Sequence, residues 1–63
     1  MEKVAQGTKG KIIDHKGDSF IKQFVGQAIT ATEHVGKSGE TQMFTLTTGA
    51  GLYLTREQIE LAA

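Results

Sequence analysis

Apolar and polar positions alternate most densely from Met43 to Thr55, M-F-T-L-T-T-G-A-G-L-Y-L-T, a run broken only by Gly49-Ala50-Gly51. Side chains in a strand point to opposite faces in turn. The pattern therefore predicts two short antiparallel strands, Glu40 to Thr48 and Leu52 to Leu54, joined by a tight turn. Phe44, Leu46, Leu52 and Leu54 would face inward, and Met43, Thr45, Thr47 and Tyr53 outward. Upstream, Gln27 to Val35 alternates as well, with Ile29, Ala31 and Val35 on one face and Thr30, Thr32 and His34 on the other. Glu33 interrupts its apolar face, so that end is expected to leave the core. Gly36-Lys37-Ser38-Gly39 reads as the hairpin loop between these strands.

An opening strand is expected over Lys11-Ile12-Ile13-Asp14-His15, where adjacent isoleucines cannot share a face. Lys16-Gly17-Asp18 is a turn signal. Phe20, Ile21 and Phe24 follow in a stretch too short for a helix of its own, read as an irregular excursion folding its aromatics over one end of the domain. Thr55-Arg56-Glu57-Gln58 has the capping-box spacing and predicts one helical or 3₁₀ turn. Ile59 and Leu61 then alternate as a closing strand, and Ala62-Ala63 fray. Residues 1–9 form a polar lead-in, ordered only where something covers it. The expectation is one all-β domain over 1–63, a small barrel of about five short antiparallel strands with a helical turn near the C-terminus.

The same residues resemble the SH3-like small barrels found in short phage and bacterial accessory proteins. The resemblance rests on Lys11-Ile12-Ile13 leading into a long first loop and on Phe24-Val25-Gly26-Gln27-Ala28-Ile29-Thr30. It extends to Leu52-Tyr53-Leu54-Thr55-Arg56-Glu57-Gln58-Ile59-Glu60-Leu61. These motifs are structural and speak to fold rather than function. Peptide-binding SH3 domains need an aromatic-lined groove for polyproline helices. Here the aromatics are Phe20, Phe24, Phe44 and Tyr53, with no tryptophan, so that function does not carry over.

Composition narrows the classes. A chain of 63 residues buries only roughly 60% of its unfolded surface, and such domains are commonly stapled by disulfides, metals or self-association. There are no cysteines, and His15 and His34 lack zinc-ligand spacing. Self-association is the staple that remains, so a homo-oligomer is expected. Lysine plus arginine equals aspartate plus glutamate, seven each, without the basic excess typical of nucleic-acid binders. No apolar run reaches the roughly 20 residues of a membrane span, and the start Met1-Glu2-Lys3 has no signal core, so the expected location is the cytoplasm, the host's if phage-encoded.

Candidate chemistry is sparse. Val35-Gly36-Lys37-Ser38 matches the end of a phosphate-binding loop, but Ala31 stands where the first glycine belongs and a strand follows where a helix is required. Neither histidine has a partner set by spacing. No catalytic residue, metal or cofactor is assigned, and the chain is expected not to be an enzyme. Thr30, Thr32, Thr45, Thr47 and Thr48 concentrate hydroxyls on two paired strands, each able to donate and accept. Tyr53 would add a stacking ring. The cations Lys9, Lys11, Lys22, Lys37 and Arg56 surround that surface, with Arg56 best shaped for a bidentate grip. The expected ligand-binding residues are Arg56, Tyr53, Lys11, Lys37, Thr45 and Thr47. The resemblance implies a phage-type counter-defence protein that sequesters a host protein or a cyclic-nucleotide signal. A nucleic-acid-binding barrel and an interaction module of a larger assembly are the alternatives.

Overall fold

The structure, a computed structural model, describes residues 3–62, so Met1, Glu2 and Ala63, with the expected fraying at Ala63, lie outside the described residues. Five antiparallel strands form one sheet: β1 (Lys9–Ile12), β2 (Ala28–Val35), β3 (Gln42–Leu46), β4 (Gly51–Leu54) and β5 (Ile59–Leu61). Their order across the sheet is β4-β3-β2-β1-β5. The outermost strands are thus neighbours in sequence, linked only by Thr55 and the 3₁₀ turn Arg56–Gln58. A flat five-stranded sheet would hold its outer strands about 19 Å apart, and a 3₁₀ turn advances only about 2 Å per residue. The sheet must curl until β4 and β5 meet at that link. Its nearly equal extents, 24 × 24 × 21 Å, reflect the curl.

The inner face follows the alternation. Cross-strand partners Ile29 and Leu46, Ala31 and Phe44, Phe44 and Leu52, and Ile12 and Ile59 are buried together. Phe44, Ile12 and Leu54 are the largest fully enclosed apolar side chains. Of the two isoleucines, Ile12 enters the core and Ile13 is exposed.

Three features depart from the sequence expectation. β1 starts at Lys9 rather than Lys11 and ends at Ile12. Gly10, left outside a strand expected to start at Lys11, sits within it because β5 passes so close that a Cβ there would lie 2.5 Å from the Glu60 carbonyl oxygen. The stretch after Asp18 is not irregular: Ser19–Lys22 is one helical turn, α1, capped by Asp18 Oδ1, which accepts from the N–H groups of Phe20 (2.9 Å) and Ile21 (3.3 Å). The turn buries Ile21 and leaves Phe20 57% exposed, its ring edge-on to that of Phe24 at 5.5 Å. The end of β2 leaves the core as the interruption at Glu33 predicts: Val35 is exposed, because β2 bulges between Ala31 and Val35 and the bulge swings its end outward.

The bulge is organised by a residue that alternation marks only as an inward polar position. Gln42 is fully buried. Its Nε2 donates to the carbonyls of Thr32 (2.7 Å) and Val4 (2.8 Å), and its Oε1 accepts from the Val4 N–H (2.8 Å). This draws Val4 into the core, and the lead-in thereby gains the cover it needs. The Gly7 N–H donates to the Ala31 carbonyl at 2.9 Å, and the Ala31 N–H to the Thr8 carbonyl at 2.8 Å. At the other end of the chain the capping-box residues meet as their spacing predicts. Gln58 Oε1 accepts from the N–H and the hydroxyl of Thr55, at 2.9 and 3.2 Å.

Candidate functional site

Residues paired across antiparallel strands share a face, so the register fixes what the outside of the sheet presents. Lys9 pairs with Thr30, Thr30 with Thr45, and Thr45 with Gly51, giving one row across four strands. Adjacent to it, Lys11 pairs with Ala28 on one side and Glu60 on the other. This outer face is indented. Lys9, Ala28, Thr30, Thr45 and Thr47, with the backbone edge at Gly10, line an open groove of about 390 Å³.

The groove's polar groups are uncommitted. Among the described residues, no hydrogen bond engages the hydroxyls of Thr30, Thr45 or Thr47, and Lys9 has no ion pair. Thr32 differs, although alternation places it with the others. Its hydroxyl donates to the Met43 carbonyl at 2.8 Å and accepts from the His34 N–H at 3.3 Å, so it serves the bulge. Thr48 lies outside the groove, exposed in the turn before β4.

The six expected ligand residues are divided by the fold. Thr45 and Thr47 line the groove. Lys11 lies on the same face, its Nζ 3.9 Å from a Glu60 carboxylate oxygen across two exposed side chains, an arrangement worth little in water. Tyr53 pairs with Met43 on the outer face of β4, diagonal to Thr45 and half exposed, one strand beyond the residues that line the groove. Lys37 is in the β2–β3 loop, five strand residues and more beyond Thr30, which is about 16 Å along the sheet. Arg56 is on the 3₁₀ turn that follows Leu54, at the end of β4 paired with Gln42 rather than the end paired with Thr45. Its Nη1 donates to the Ile59 carbonyl at 3.2 Å. The fold does not bring Lys37 and Arg56 to the threonine groove.

Lys9 and Thr30 line the groove although neither is among the six: Thr30 was placed on the threonine face, and Lys9, named only among the surrounding cations, lies outside a first strand that begins at Lys11. The signal was the alternation Lys9, Gly10, Lys11, which sets both lysines on one face once Gly10 is read as part of the strand.

The other candidates have local work. His15 Nδ1 accepts from the Gly17 N–H at 3.0 Å, and Asp14 Oδ1 accepts from the Lys16 N–H at 3.2 Å, so both shape the turn before α1. That turn places Lys16 and Gly17 at positive φ, 49° and 79°. Glu57 on the 3₁₀ turn has its carboxyl held below the ordinary glutamate range, chiefly by a backbone N–H of its own turn, then by the Lys16 charge and the Thr55 hydroxyl. Among the described residues no three of His, Cys, Asp and Glu gather as a metal would need, and no helix is long and apolar enough to cross a membrane. Comparison with protein-family models, curated proteins and solved structures finds no match to this chain.

Proposed function

We propose that this chain is a non-enzymatic binding protein that holds a small phosphate-bearing ligand, of the nucleotide class, against the outer face of β1–β3. The observation that carries this reading is the row Lys9–Thr30–Thr45 with Thr47 beside it: one ammonium and three hydroxyls, uncommitted among the described residues, around a single groove. The ammonium suits a phosphate oxygen, the hydroxyls suit phosphate, sugar or base edges, and Tyr53 offers a ring for a base to stack on. The strand order and the single 3₁₀ turn before the closing strand support an SH3-like barrel as the scaffold. Sequestration, as in phage-type counter-defence, is the role that needs only such a surface and no catalytic group. The groove is open on one side, and a second copy of the chain is the cover proposed for it.

Calorimetry of the full chain against cyclic and linear mono- and dinucleotides tests the reading. Saturable heat from one of them, abolished in Lys9→Gln and in the pair Thr30→Val and Thr45→Val, is the expected result. No heat across the panel overturns it. A salt-dependent gel shift with DNA or RNA in its place transfers the function to nucleic-acid binding.

A further inference from the structure

A second groove lies at the barrel end where the N-terminal segment meets the 3₁₀ turn. It measures about 330 Å³ and is lined by Lys3, Val4, Thr8, Arg56 and Leu61. We propose that it is an anion site separate from the threonine groove, taking the phosphate or carboxylate head of a small ligand whose apolar stem rests on Val4 and Leu61.

The charge pattern is the first argument. In a chain with seven basic and seven acidic side chains, two other lysine-bearing clefts carry their own counter-charge, and the threonine groove holds a single cation, Lys9. Lys16 shares its cleft with Glu40 and Glu57, and Lys9 and Lys11 share the β1–β5 cleft with Glu60. Lys3 and Arg56 face one groove, and among the described residues that line it there is no carboxylate. Two cations around one space repel each other until an anion enters.

Anchoring is the second argument. Lys3 adjoins Val4, whose N–H and C=O are both held by the buried Gln42. Arg56 is fixed by its hydrogen bond to the Ile59 carbonyl, which uses one guanidinium N–H and leaves others to turn to a ligand. Thr8 is held through its backbone, its N–H donating to the Ala5 carbonyl and its C=O accepting from the Ala31 N–H, and its hydroxyl is uncommitted among the described residues. The backbone beneath all three donors is therefore ordered before a ligand arrives, which lowers the entropy cost of binding. The half-buried Leu61 and buried Val4 supply an apolar floor under a cationic rim, the usual build of a small-ligand site.

The test is NMR on the full-length ¹⁵N-labelled chain, titrated at constant ionic strength with inorganic phosphate and, separately, with butyrate. Saturable shifts of the Lys3, Thr8 and Arg56 signals are expected. Arg56→Gln and Lys3→Gln should each weaken binding roughly tenfold or more, the worth of one charge-assisted hydrogen bond. Thr45→Val should leave it unchanged, which separates this site from the outer-face groove. Saturation by phosphate alone assigns a phosphate ligand, by butyrate alone a carboxylate, and by both a general oxyanion site. Shifts that rise linearly to the end of both titrations, or that survive both Gln variants in chains with otherwise native spectra, overturn the proposal.

Discussion

Gln42 closes both backbone hydrogen bonds of Val4, its carboxamide oxygen and nitrogen each 2.8 Å from their partner across 38 residues of chain. A primary amide presents one acceptor and donors in one plane, as a peptide group does. The side chain thus acts as an extra stretch of strand, pairing with a segment that β3 itself does not reach. Gln42→Leu keeps the volume but leaves the Val4 N–H, the Val4 carbonyl and the Thr32 carbonyl without this partner. We expect a loss of roughly 2–4 kcal/mol, since each buried unpaired group costs about 1–3 kcal/mol and release of the segment into water recovers part. A denaturant melt gives the size. Hydrogen exchange should show the Val4 amide losing protection ahead of β2 and β3. Unchanged protection there would mean that Val4 is held by its apolar contacts alone.

Phe44 sits at the centre of the inner face, paired with Ala31 on β2 and Leu52 on β4. Phe44→Ala should cost about 3–5 kcal/mol. A domain this short has a total stability of only roughly 3–9 kcal/mol, so the variant should lose about a third of it or more, read as a large drop in the denaturation midpoint by circular dichroism. A melt indistinguishable from the parent chain would place the core elsewhere.

Gly10 is needed for a different reason, the closeness of two backbones. Its missing Cβ leaves room for the Glu60 carbonyl oxygen, which the added carbon of Gly10→Ala would approach to 2.5 Å. Backbone cannot yield as a side chain tip can, so β5 must shift, at a cost of about 1–3 kcal/mol by analogy with overpacking. Amide exchange should rise in β5 and at the Ala62 N–H, which donates to the Lys9 carbonyl at 2.8 Å. Parent-like protection of β5 would show that the strands are not so tightly apposed.

The strands were legible because each has one buried face, and period-two alternation reports a buried face directly. Leu52, Tyr53 and Leu54 fall in, out and in as their pattern demands, and the capped turn follows from Thr55 and Gln58. What alternation could not report was contact between distant segments. Gly10 resembles a loop glycine until β5 is known to pass over it. Gln42 falls on the inward face with no partner in sight until Val4 and Thr32 are known to converge on it. The groove was legible in half for the same reason. Thr30, Thr45 and Thr47 follow from the alternation of two paired strands, whereas Lys9 joins them only through the pairing of β1 with β2, and Arg56 was drawn in by its chemistry although the fold sends it elsewhere.

Glu57 makes the stability of the 3₁₀ turn depend on pH. Its folded carboxyl lies below the ordinary range, first because of a backbone hydrogen bond and then because of Lys16 and Thr55. A group with a depressed folded pKa adds stability above its unfolded value, near 4.3, and that contribution disappears as pH falls through the lower folded value. Glu57→Gln should therefore melt below the parent chain at neutral pH and converge with it in acid. A difference between the two melting temperatures that stays constant from neutral pH into strong acid would remove the carboxylate from the account.

Thr32 and Thr45 occupy the same outer face, yet their hydroxyls should respond oppositely to removal. Thr45→Val replaces a hydroxyl that has no intramolecular partner among the described residues with a β-branched isostere suited to a strand. Its stability should stay within about 0.5 kcal/mol of the parent chain. Thr32→Val deletes the bond donated to the Met43 carbonyl and the one accepted from the His34 N–H. That should cost about 1–2 kcal/mol and loosen the bulge. Paired denaturant melts give both values in one experiment. Equal losses would mean that the Thr45 hydroxyl is also committed within the fold, which would take away the free donor on which a ligand-binding groove depends. A neutral Thr45→Val beside a costly Thr32→Val leaves Thr45 available for contacts outside the chain.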